Sequence, residues 1–131
     1  MKKLALLITL LFVISIFNSC NLPGDGSNTS VRENPNKNHT KKAVLFLRQA
    51  GATVGDSYQV TITNYKTQFD TVAIGNTFTV DDNHGAAHLN PKCIDLNWMS
   101  DNTLEIIYDK SLRTFLQEKF VDGSTVIYKT K

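Results

Sequence analysis

Asp81-Asp82-Asn83-His84-Gly85 gathers two carboxylates, an amide and an imidazole into five residues, the densest set of reactive side chains in the chain. Such a set offers oxygen ligands to a cation, an acid–base pair, or a polar recognition loop. The calcium option is tested by spacing. An EF-hand loop starting at Asp81 puts Gly85 on a ligand position and Lys92 where the bidentate Glu belongs, so that reading fails. His84 and His88 are four apart, the spacing of two ligands on one helix face. Gly85-Ala86-Ala87 reads instead as loop, and no His-Glu-x-x-His pattern is present. No metal and no cofactor are expected. An acid–base site could be drawn from His84 with Asp82, or from Arg113 with Glu118. The latter two stand five apart, on opposite faces of a regular strand, so a direct pair needs a bulge or a partner strand. No Gly-x-Ser-x-Gly elbow occurs. The expectation is therefore no catalytic set, with Asp81, Asp82, Asn83, His84, Arg113 and Glu118 as candidate binding residues. The bland alternative is that Asp82 and Asn83 cap a turn and Gly85 supplies a positive φ.

Cys20 carries a different chemistry. Lys2 and Lys3 precede an apolar stretch from Leu4 to Phe17, broken by Thr9 and Ser15 and closed by Asn18-Ser19-Cys20. That layout is a secretory signal, too short and wrongly flanked for a stable membrane span. Ordinary signal cleavage after Ser19 would put the bulky Phe17 at the third position before the cut. A lipoprotein signal tolerates a large apolar residue there and requires a Cys just after the cut. The expectation is a signal peptide over 1–19 and a lipid-bearing Cys20. The anchor would lie in the bacterial cell envelope, on the periplasmic side of the outer membrane. Lipidation leaves Cys93 without an intramolecular disulfide partner; it reads as a small hydrophobe at a strand start.

These groups need elements to hold them. Residues 21–42 (NLPGDGSNTSVRENPNKNHTKK) contain only Leu22 and Val31 as large apolar side chains. A segment so polar reads as a flexible linker over 20–42, spanning about 25 Å on average. From residue 43 the pattern is strand-like. Tyr58, Val60 and Ile62 alternate with polar neighbours, as do Ile94, Leu96 and Trp98, and then Leu104, Ile106 and Tyr108. Trp98 shares the face of Ile94 and Leu96 and is expected in the core. Asp101-Asn102 predicts a hairpin between 94–99 and 103–109. Asp122-Gly123 predicts another between 113–121 and 124–130. Ser111–Lys119 keeps a short helix as a weaker option. The expected fold is an all-β domain over 43–131, an antiparallel meander of about six or seven strands forming a sandwich or partial barrel.

Charge excludes one partner class. The formal charge of +2 belongs to Lys2 and Lys3, and the remaining chain balances twelve basic against twelve acidic side chains. A neutral chain gives no ground for nucleic acid, which calls for a clustered basic face. It also gives no ground for binding anionic lipid by charge. The segment Gly75-Asn76-Thr77-Phe78-Thr79-Val80-Asp81-Asp82-Asn83-His84-Gly85 resembles the GN-x-F-x-x-D-x-NHG segment of a family of small uncharacterised bacterial exported proteins. The family's flanking parts correspond to Ala52-Thr53-Val54 with Ser57 and Val60, to Leu96 through Tyr108, and to Arg113 through Glu118. The resemblance covers nearly all of 43–131 and implies a shared domain without an activity. Relatives often carry a Cys where this chain has Gln49-Ala50-Gly51, so no disulfide is carried over. Two functions remain: a membrane-tethered module that binds a protein or envelope ligand, and a small envelope hydrolase using the loop 81–88.

Overall fold

In the computed structural model, residues 26–51 and 54–131 are described; the expected signal peptide over 1–19, Cys20 and Ala52-Thr53 lie outside them. The described strands are β1 (Ser27–Pro35), β2 (Lys41–Gln49), β3 (Ser57–Asn64), β4 (Phe78–Asp81), β5 (Ile94–Ser100), β6 (Thr103–Tyr108), β7 (Arg113–Gln117), β8 (Phe120–Val121) and β9 (Ser124–Thr130). They make a five-stranded sheet, β1-β2-β3-β4-β7, and a four-stranded sheet, β5-β6-β9-β8. Alternation puts Ala43, Leu45, Tyr58, Val60, Ile62, Phe78 and Val80 of the first sheet against Ile94, Leu96, Leu104, Ile106 and Val126 of the second, in one buried cluster. The all-β sandwich follows from that period-two pattern. The only helical turn among the described residues is a 3-10 turn at Pro91–Cys93. Cys93 at its end is buried, with its thiol on the His88 carbonyl at 3.2 Å.

Several expectations need correction. The linker reading of 20–42 fails from Ser27 onward, because β1 pairs with β2 from Ser27↔Gln49 to Pro35↔Lys42. Its polar side chains are the reason it can be a strand: they bond where apolar ones would pack. Arg32 Nη2 donates to the Ile94 carbonyl at 2.7 Å, Asn34 Nδ2 to that of Leu96 at 3.2 Å, and Trp98 Nε1 to that of Asn34 at 2.8 Å. Asn36, 1% exposed, donates to the Asp101 carbonyl and accepts from the Thr40 and Lys41 amides. These bonds stitch the open seam between the edge strands β1 and β5. Trp98 is consequently half-buried at that rim and packs on the core from outside it.

The 113–121 strand also divides. β7 joins the first sheet beside β4, and only Phe120–Val121 turns back on β9. At that turn Asp122 and Gly123 have φ of 47° and 70°, the pair of left-handed residues that a two-residue hairpin requires. Segment 111–119 forms no helix. β6 and β9 run parallel, from Thr103↔Thr125 to Tyr108↔Thr130, so the topology is not purely an antiparallel meander. The chain reaches β9 by way of β7 in the opposite sheet. Tyr128 closes the second seam, its single hydroxyl proton shared between the Glu118 carbonyl at 2.6 Å and the Thr77 carbonyl at 3.1 Å. Burial is the main cause that pushes the Tyr128 phenol well above the usual tyrosine range, with the Glu118 charge adding to it.

The apolar run of β2 reflects burial on both faces. Val44 and Phe46 point away from the core cluster, yet each is only 1% exposed. The segment between β3 and β4 folds back over them, with Phe69 edge-on to Phe46 at 5.4 Å between ring centroids. Asn28 of β1 holds this cover in place. Its side chain donates to the carbonyls of Asp70 and Ala73 at 3.1 and 2.6 Å and accepts from Arg48 at 3.0 Å. Asn76 supplies the missing strand pairing, its amide bonding both the N–H and the carbonyl of Ile62 at 2.9 Å. Gly75 admits no larger residue, since a Cβ there would lie 2.9 Å from the Val60 carbonyl oxygen.

Candidate functional site

Strand register builds the site. Asn28 pairs with Arg48, Arg48 with Ser57, Tyr58 with Val80, and Asp81 with Arg113. One end of the five-stranded sheet therefore carries Arg48, Ser57, Asp81 and Arg113 in a row. On the face away from the core, these residues with Gln59, Thr79, Val54, His84 and Phe115 line an open cleft of about 510 Å³. The space under the 65–77 cover is about 100 Å³, so the uncovered half is the one that can admit a ligand of drug or oligomer size.

Asp81 and Arg113 form its fixed centre. Arg113 grips the carboxylate with two nitrogens, Nε to Oδ1 at 3.1 Å and Nη2 to Oδ2. This is the bidentate geometry that Arg favours over Lys. The Arg113 hydrogen bonds are the main cause that holds the Asp81 carboxyl below the usual carboxylate range; burial opposes them, and the Asn83 amide, 2.9 Å from Oδ1, adds to them. Asp81 in turn raises Arg113. The third guanidinium nitrogen, Nη1, lies 2.5 Å from His84 Nε2. Arg has no acceptor, so that contact requires Nε2 to be the unprotonated nitrogen of the ring. Arg113 also sits over the ring of Phe115, 4.6 Å from its centroid, a cation–π contact.

Local backbone geometry aims these groups. Asn83, His84 and Gly85 have consecutive φ values of 52°, 58° and 80°. Two non-glycine residues in the left-handed region carry strain of order 1–2 kcal/mol each. The Arg113–His84 contact, the Asp81–Asn83 bond and the Ala87 N–H to Asp82 carbonyl bond at 2.8 Å hold the turn against it. On β7 the partners of Thr79 and Val80 are Leu116 and Thr114. Phe115 is thus the extra residue of a β-bulge, a device that re-aims a side chain beside a site. It is 59% exposed.

Of the six candidate residues, Asp81, His84 and Arg113 converge. Asn83 bonds Asp81 through its backbone, and Asp82 adds a nearby negative charge that raises Arg113. Glu118 does not belong with them. It is exposed, lies past the end of β7, and forms none of the ion pairs among the described residues. Its backbone N–H bonds the Thr77 carbonyl at 2.9 Å instead. Arg113 found its partner across the sheet, 32 residues away, and not five residues along its own strand. His88 is exposed and takes no part. Arg48, Gln59 and Phe115 were missed. The signal for Arg48 was faint: one cation ending the apolar run of β2.

No three His, Cys, Asp or Glu side chains among the described residues form a metal-holding group. No helix among them is long and apolar enough to cross a membrane. No protein-family model, curated protein or solved structure matches this chain.

Proposed function

We propose that this chain is a lipid-anchored binding module of the bacterial cell envelope, held at the periplasmic side of the outer membrane through Cys20, with the cleft around Arg113 as its recognition site. The observation that carries the binding reading is the Arg113 centre. A guanidinium fixed by Asp81 presents His84 on one side and an exposed Phe115 on the other, at the wall of an open cleft. A rigid polar group beside an exposed aromatic ring is a recognition surface for a protein or an envelope ligand. The hydrolase alternative asks for His84 bonded to a carboxylate or hydroxyl that could orient it or give up a proton. Its ring meets a guanidinium, which ties up Nε2 and offers no orienting acceptor. That favours binding over acid–base work.

The anchor is supported by the order Lys2-Lys3, Leu4–Phe17, Ser19-Cys20. Kinship with the small bacterial exported proteins is supported by the Gly75–Gly85 segment, whose residues here have definite tasks. Gly75 leaves room beside the Val60 carbonyl, Asn76 pairs with Ile62, Phe78 fills the core, Asp81 holds Arg113, and Asn83 to Gly85 make the left-handed turn. The test is capture from native envelope using the lipidated chain as bait, beside His84→Ala and Phe115→Ala. Both side chains are exposed, so both variants should fold and lose the captured ligand. Full retention by both would move the site elsewhere. For the anchor, Cys20→Ala should leave the membrane fraction or remain an uncleaved precursor.

A further inference from the structure

We infer that the end of the domain bearing Val54, Val72 and Ile74 lies against the bilayer surface, so that the cleft opens at the level of the lipid headgroups. This rests on the proposed lipid anchor at Cys20. Between Cys20 and Gly26 there are only residues 21–25. At 3.3–3.6 Å per residue that stretch reaches about 20 Å at most. The strand that follows is integral to the domain, so the anchor is short and its exit point is fixed. Gly26 sits beside Arg48, where a Cβ would lie 3.1 Å from the guanidinium carbon. Arg48 is therefore at the end of the domain nearest the lipid.

Exposed aliphatic side chains surround that point. Val54 is 58% exposed and lines the cleft with Arg48. Val72 is 59% exposed, and its carbonyl accepts from Arg48 at 2.8 Å. Ile74, 71% exposed, precedes Gly75, whose N–H donates to Gln59 in the cleft wall at 2.7 Å. The loop that presents Val72 and Ile74 is already ordered. Asp70 Oδ1 accepts from the Val72 and Ala73 amides at 2.8 and 3.0 Å, and Asn28 holds the carbonyls of Asp70 and Ala73. Docking such a loop loses little conformational entropy. Three aliphatic side chains bind a bilayer weakly on their own, but a short tether raises their effective concentration to the millimolar range or above. The opposite end of the sandwich, at Asn36–Thr40 and Asp101-Asn102, is polar and lies about 30 Å away along β1. The surface is neutral overall, so insertion of the aliphatic groups, and not attraction to anionic lipid, orients the domain.

The test uses the full lipidated chain, isotopically labelled, in phosphatidylcholine nanodiscs with and without a lipid bearing a nitroxide on its headgroup. Intact mass first establishes the lipid on Cys20. Paramagnetic broadening should be severalfold greater at the amides of Val54, Gly55, Val72 and Ile74 than at Asn38, Thr40 and Asn102. It should not depend on added anionic lipid. The combined variant Val54→Asp, Val72→Asp, Ile74→Asp, altered only at exposed positions, should stay anchored and lose the difference. Broadening that is even over the domain, or strongest at Asn38 and Asn102, overturns the orientation and leaves the anchor standing. Signal changes at Val72 and Ile74 that grow with protein concentration in detergent give the patch to a second copy of the chain and overturn it too. A free thiol at Cys20 overturns the anchor itself and removes the tether on which the orientation depends.

Discussion

Phe46 and Phe115 both lie on the side of the five-stranded sheet that faces away from the core, yet the first is 1% exposed and the second 59%. Around Phe46 the chain spends the whole β3–β4 connection on a cover, seating Phe69 on the ring and tying the loop down through Asn28 and Asn76. Around Phe115 it leaves the sheet bare and arranges charge: Arg113 over the ring, Asp81 behind the guanidinium, His84 beside it. The two halves share one backbone platform and differ in what their side chains are for. Burial on the covered half contributes stability. Exposure on the open half forgoes it, and keeps a rigid aromatic and cationic surface facing solvent.

That contrast can be broken at four places, with effects that should decline in this order. Phe46→Ala removes a fully buried ring and should cost about 3–5 kcal/mol in urea unfolding; a change below ~1 kcal/mol would mean that the cover contributes nothing. Asn28→Ala leaves the Asp70 and Ala73 carbonyls and one Arg48 bond without their partner. It should cost about 2–3 kcal/mol and speed amide exchange over 70–75 well before the β2–β3 pair exchanges. Exchange that rises uniformly would show that the loop is not a separate unit.

Asp81→Asn tests the open half and its pH dependence. The folded carboxyl titrates below its unfolded value because Arg113 holds it, so its contribution is present above the ordinary carboxylate range and is lost as pH falls through the folded value. Arg113 is partly exposed, and solvent screening limits the expected loss to about 1 kcal/mol at neutral pH. As pH falls below the ordinary carboxylate range and through the folded value, the variant and the wild type should converge in melting temperature; a gap that widens in acid would refute the pairing. Phe115→Ala should be the smallest in stability, within about 0.5 kcal/mol. It should still reduce ligand capture, and the opposite outcome, a large destabilisation with capture intact, would make Phe115 structural.

Much of the fold was legible in the sequence because most strands have one face on the core. Tyr58-Val60-Ile62 and Leu104-Ile106 alternate as half-buried strands must, and Asp122-Gly123 supplied the turn chemistry for its hairpin. β1 was illegible for a physical reason. Its contacts are made by Asn28, Arg32 and Asn34, with Asn36 just after it, and their hydrogen bonds to β5, to the β5–β6 turn and to the 65–77 loop are long-range and leave no apolar period. The division of 113–121 between two sheets went unread because Glu118-Lys119 contains no Gly or Pro to mark the crossing. The site was half legible. Its cluster of polar types at 81–84 was plain, and Arg113 was singled out, but composition along a strand cannot say which carboxylate comes to face it across the sheet.

The parallel pairing of β6 with β9 has a consequence for how the molecule is assembled. Local hairpins such as β5–β6 can close on the way, each over a short stretch of chain, whereas β9 meets β6 across 22 residues in register. In between, the chain must cross to the other sheet, lay β7 beside β4, and return. The interior of the second sheet therefore cannot be completed until the two sheets are already joined at their far edge. Sheet formation and sandwich closure become one event, with the loop entropy spent before the parallel ladder returns any energy. The molecule should fold slowly for its size and unfold all at once, with no half-sandwich populated between.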